Sequence, residues 1–197
     1  MPRPPFILSR ETERAAIDRI IRDPGKRQML YNMVDAVLRV RESGTVSPTE
    51  VAPILAGFEA TDEAVWSRAA GWLAKLSAFA PELSAPLEEL SRHRSADVRF
   101  NLCASLDRFP KEIAVAYLRR FLTDRSARIR GTVPNVAVKA GYAELIPDFE
   151  TLLAEERDSE RQLDLRQAIA LLQGQTFERD GWQVRKLANG NIEYSPS

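Results

Sequence analysis

Three arginines recur at a fixed interval. Arg68 in EAVWSRAAG, Arg99 in SADVRF and Arg130 in SARIRG stand 31 residues apart. A guanidinium is a permanently charged fork of five N–H donors, so a row of them has two uses. It can grip carboxylates or phosphates of a partner, or it can tie down acceptors of its own fold. Arg166 in DLRQA extends the row, and Trp66 stands two residues before its first member. Trp66 either packs between neighbouring elements or is an exposed aromatic anchor for a partner. Arg68, Arg99, Arg130, Arg166 and Trp66 are therefore the candidate partner-binding residues.

Other chemistry is sparse. His93 is the single histidine and sits in the polar turn SRHRS, where a surface role is expected and no nucleophile is implied by spacing. With one histidine and one cysteine, Cys103, no zinc set is expected. No glycine-rich phosphate loop occurs, and no cofactor is expected. Glu155 and Glu156 fall at a helix end and read as solubilising charge. No catalytic residue is assigned.

Composition sets the frame. The 197 residues carry 28 basic and 28 acidic side chains, a balance that gives no bulk attraction to nucleic acid or membrane. Charge is nevertheless uneven. Ten basic residues face four acids between Arg92 and Arg130, and eight acids face two arginines between Glu144 and Asp164. Only five of the 28 bases are lysine, which reads as genomic bias. The lone cysteine fits a reducing cytosol, and the start MPRPPFILSR lacks the apolar core of a signal peptide. A cytoplasmic location is expected.

The elements that position the arginines are helices. Ser9 precedes a helix with Ile17, Ile20 and Ile21 on one side. Ser47-Pro48-Thr49-Glu50 is a capping box with proline at the first helical position. Val65, Ala69, Trp72, Leu76 and Phe79 fall on one face of the next helix. Leu83, Leu87 and Leu90, then Val98, Leu102 and Leu106, then Ile113, Tyr117 and Phe121 mark three more. A pair over residues 126–140 and 143–155 follows, punctuated by Gly141 as a left-handed terminator, with Pro134 expected to bend its helix. Ser159 and Gln162 suggest a second capping box before Leu165, Ala168, Ile169 and Leu172. A period near 31 residues is the signature of stacked helical repeats, because a two-helix unit cannot bury its own apolar face alone.

The segment DRSARIRGTVPNVAVKAGYAELIPDFETLLAEERDSERQLDLRQAIALL resembles HEAT-like repeats of the short kind, known also from phycobilin lyases. An acidic turn, a Val-Arg-like opening and a Glu-x-Ile-Pro-x-Leu-like second helix carry the resemblance, the last through Glu144, Ile146, Pro147 and Phe149. It covers about residues 61–174. It implies an all-α, right-handed α-α superhelix of about four helix pairs over residues 10–174, after an arm of residues 1–9. It also implies that the repeated arginines pair with turn aspartates such as Asp97 and Asp124, making a ladder. The function it implies is a non-catalytic protein-interaction module with a protein partner. The alternative is a nucleic-acid-binding relative of the HEAT-like alkylated-base DNA glycosylases.

The tail, residues 175–197, differs. GWQVRKLANGNIEYSPS alternates around Asn189-Gly190, a two-residue hairpin signal, and no strand is expected before residue 181. The expected register sets Leu187 opposite Ile192, Arg185 opposite Tyr194 and Lys186 opposite Glu193. The Leu187 face should then dock on the last helix, so that the hairpin caps the array.

Overall fold

A computed structural model describes residues 9–197, which fall into two compact units divided between Pro110 and Lys111. The expected arm lies outside the described residues apart from Ser9. Between Ser9 and Gln175 the backbone is helical with short turns, and the only strands among the described residues come after it. No helix among the described residues is long and apolar enough to cross a membrane.

The first unit holds α1 (Arg10–Ile20), α2 (Pro24–Ser43), α3 (Pro48–Gly57), α4 (Glu63–Ser77), α5 (Ser84–Arg92) and α6 (Ala96–Ser105). Each start has a chemical reason. The Ser9 hydroxyl accepts the Thr12 N–H at 3.1 Å, and Asp23 accepts the Lys26 N–H at 2.8 Å. The Ser47 box closes as expected: Ser47 Oγ accepts the Glu50 N–H at 3.2 Å, and Glu50 accepts the Ser47 N–H at 3.0 Å. Such caps each contribute about 1 kcal/mol. Ile17 and Ile21 are buried, but Ile20 is 59% exposed, so the narrower stripe alone faces the core. Val65, Ala69, Trp72 and Leu76 are buried as expected, whereas α4 ends at Ser77 and leaves Phe79 half-buried in the following turn. One tie has no sequence signal. Buried Asn101 of α6 donates Nδ2 to the Phe58 carbonyl at the end of α3, at 3.0 Å.

The second unit holds α7 (Lys111–Phe121), α8 (Ala127–Ala140), α9 (Ile146–Glu155) and α10 (Ser159–Leu172). Gly141 has φ 78° and ends α8 with the Tyr142 N–H reaching back to the Ala137 carbonyl at 2.9 Å. Pro134 is buried inside α8, which runs through it as one helix. The second capping box does not form. Asp158, one residue earlier, is the N-cap and accepts the Arg161 N–H at 2.9 Å, because its carboxylate is the stronger acceptor. Gln162 instead donates to the Glu156 carbonyl at 2.6 Å.

The tail is a three-stranded antiparallel sheet, β1 (Phe177–Arg179), β2 (Trp182–Lys186) and β3 (Ile192–Pro196), in that order. The first turn is Asp180-Gly181, both left-handed at φ 53° and 79°, the conformation a two-residue hairpin needs. This Asp-Gly pair was the overlooked signal for β1. The second turn uses three residues instead of two. Leu187 N–H reaches the Asn191 carbonyl at 2.8 Å, and Gly190, at φ 85°, donates to Leu187 at 2.9 Å. The register consequently slips by one, pairing Val184 with Tyr194, Arg185 with Glu193 and Lys186 with Ile192. A one-residue slip exchanges faces. Val184, 1% exposed, is the residue buried where the sheet packs on α10, which overturns the expected docking of the Leu187 face. The expected Lys186–Glu193 pair is replaced by an Arg185–Glu193 ion pair.

Candidate functional site

Arg99 and Arg130 sit at corresponding places in α6 and α8. In each case the guanidinium folds back over the preceding turn to the carbonyl six residues earlier. Arg99 donates to the His93 carbonyl at 2.7 Å and to the Arg94 carbonyl at 3.3 Å, and is 4% exposed. Arg130 donates to the Asp124 carbonyl at 2.7 Å. The turns are held from within as well. His93 Nδ1 accepts the Ser95 N–H at 3.2 Å, and the Asp124 carboxylate accepts the Ser126 N–H at 2.8 Å. In Arg130 the ladder thus runs through turn backbone rather than through a carboxylate among the described residues.

Arg68 departs from this scheme. The turn before α4 is fastened by Asp62, which accepts the Ala64 N–H at 2.9 Å and pairs with Lys26 of α2. That lysine's hydrogen bond is the largest cause holding the Asp62 carboxyl below its ordinary range, and Asp62 raises Lys26 in return. The Arg68 guanidinium points instead toward Glu13 of α1, at a loose 3.9 Å. It lines a cleft of about 440 Å³ with Glu13, Ser67, Gly71, Trp72, Lys75 and Arg108.

Each wall of this cleft has a cause. Arg68, Trp72 and Lys75 share a face of α4 through i+4 and i+3 spacing. The buried Trp72 ring carries the Lys75 ammonium 4.6 Å from its centroid. Arg108 arrives from the 3₁₀ turn Leu106–Arg108 and donates to the Ser67 carbonyl at 2.7 Å and hydroxyl at 3.0 Å. Its path crosses Gly71, where a Cβ would stand 3.9 Å from the guanidinium. Three cations and an aromatic wall therefore meet one carboxylate. Lys75 was legible from its spacing to Arg68, but Arg108, 40 residues further on, had no such signal.

The remaining candidates lie elsewhere. Trp66 is half-buried and is not among the residues lining the cleft. Arg166 is exposed on α10 and has no ion pair with any described residue. In the second unit a separate cleft of about 480 Å³ opens between the sheet and α8 and α10. Arg179 of β1 spans its inner end, donating to Asp164 at 2.7 Å and also meeting Glu160 of α10. Nearby, burial pushes the Lys186 ammonium down from its ordinary value.

Serial short helices joined by tight turns, with a repeated arginine folded over the turn, define an all-α repeat protein with a small terminal sheet. Residues 83–170 match the family model described as HEAT repeats. That match supports the HEAT-like resemblance of the sequence over those residues, and such repeats commonly serve as protein-interaction scaffolds. No curated protein matches the chain.

Proposed function

We propose that this protein is a non-catalytic interaction module whose first-unit cleft receives an acidic segment of a protein partner. The observation that carries the reading is the convergence of Arg68, Lys75 and Arg108 beside the Trp72 ring, with Glu13 the one carboxylate among the lining residues. At 3.9 Å the Glu13 contact holds Arg68 weakly, so a partner carboxylate making a bidentate bond can replace it. The buried Trp72 ring holds the Lys75 ammonium over its face and so fixes that wall of the cleft.

A nucleic-acid backbone fits less well. Residues 1–110 hold fifteen basic and fifteen acidic side chains, so a long phosphate chain would meet as many acids as bases. The test compares two labelled probes, an oligoglutamate peptide and a single-stranded oligonucleotide of equal charge, on the parent and on an Arg68→Glu/Lys75→Glu variant. The peptide should bind the parent, and the variant should lose it at unchanged melting temperature. Tighter binding of the oligonucleotide, weakening steeply with salt, would replace this reading with the nucleic-acid one.

A further inference from the structure

The outer edge of β3 is open. In the observed register Leu187 and Asn191 form a hydrogen-bonded pair, and so do Gly181 and Ser197, whose N–H reaches the Gly181 carbonyl at 2.9 Å. Alternation along the ladder then turns the N–H and C=O of Glu193 and Ser195 toward β2. The backbone groups of Ile192 and Tyr194 point the opposite way, and they meet no hydrogen-bonding group among the described residues. Pro196 ends this row, since it has no N–H to offer. Tyr194 is 61% exposed. The 480 Å³ cleft lies beside the same edge, lined by Ile192 and Tyr194 on one side and by Val138, Ala168 and Leu171 of α8 and α10 on the other.

We propose that β3 accepts an extended segment of a partner protein as a fourth strand, with the pattern apolar–basic–apolar. Antiparallel addition forms four backbone hydrogen bonds, two to Ile192 and two to Tyr194. Partner residues opposite Ile192 and Tyr194 project on the cleft face, where Val138, Ala168 and Leu171 provide apolar contact. The partner residue between them projects on the other face, directly opposite Glu193. That carboxylate is bonded by Arg185 through Oε2, and its Oε1 makes no hydrogen bond or ion pair among the described residues. A lysine or arginine is the residue that complements it.

The same charge argues against a second copy of this chain. The self-pairing that satisfies both Ile192 and Tyr194 places one Glu193 opposite the other, and like charges in that position are destabilising.

The test uses the full chain and an acetylated, amidated heptapeptide with valines flanking a central lysine. Amide spectra and hydrogen exchange should show binding at Ile192 and Tyr194, whose N–H groups become protected. Methylating the two valine amides should weaken binding about tenfold or more, because it removes the donors that face β3. Glu193→Lys should reverse the preference toward a peptide with central glutamate. Tyr194→Pro should abolish binding, since it deletes an N–H that the β2–β3 ladder does not use. The proposal is overturned by any of three results: no binding at about 1 mM peptide, equal binding of the methylated peptide, or protection of the same amides through self-association alone.

Discussion

Replacing Arg99 with alanine separates a structural arginine from a binding one. Arg99 is 4% exposed, and its Nη1 serves two turn carbonyls, at 2.7 and 3.3 Å. A hydrogen bond from a charged donor is worth about 1.5–3 kcal/mol, and the longer contact adds little. The turn is half-exposed, so water re-solvates part of what is lost, and a net cost of about 2–3 kcal/mol follows. For a chain of this size each kcal/mol lowers the melting temperature by about 2–4 °C, so Arg99→Ala should melt about 4–12 °C below the parent. Differential scanning calorimetry measures this directly. Arg99→Lys should recover part of the loss, since an ammonium can reach a carbonyl but lacks the planar fork. Arg68→Ala should melt within about 2 °C of the parent, because its 3.9 Å contact with Glu13 is partly exposed. The distinction between the two arginines collapses if Arg99→Ala is thermally silent, or if Arg68→Ala is equally damaging.

Gly57→Ala should destabilise by about 1–3 kcal/mol in urea melts, despite the better helix former, because the new methyl would stand 2.6 Å from Ala69 Cβ and against Met33 Cε; a variant as stable as the parent would contradict that packing. Glu156 accepts the Asp158 and Arg157 N–H groups, and these bonds hold its carboxyl below the ordinary range. Its contribution is present above the unfolded carboxylate value and lost as pH falls through the lowered one, so Glu156→Gln should cost stability at neutral pH and little in strong acid. Lys186 shows the opposite sign. Burial lowers its value, so the charged form penalises the fold below that value, and Lys186→Met should raise the melting temperature at neutral pH with a gain that fades in alkali. Truncation after Gly174 uncovers the α10 surface under Val184 and should leave a folded chain that self-associates in sedimentation; a monomeric product with an unchanged melting temperature would show that the sheet is no cap.

Much of the helical array was legible because its causes are local. The Ser47–Glu50 box and the glycine after α8 each depend on residues within a few positions of one another, and the 31-residue interval is the spacing at which such local signals return. Local signals also failed where two were in competition. Asp158 displaced Ser159 as a cap, and Asp180-Gly181 formed a hairpin that Asn189-Gly190 had overshadowed. The choice of a three-residue rather than a two-residue second turn then decided which face of the sheet is buried, although the alternation in sequence suits either. The arginine interval likewise marked three equivalent positions without saying which was spent on the fold. Arg99 and Arg130 found turn carbonyls, while Arg68 was left in a cleft whose other walls come from α1 and from Arg108. Helix starts and periods are set by neighbours along the chain, so the sequence determines them. Register, burial and the meeting of distant charges depend on which surfaces come together, and only tertiary packing decides that.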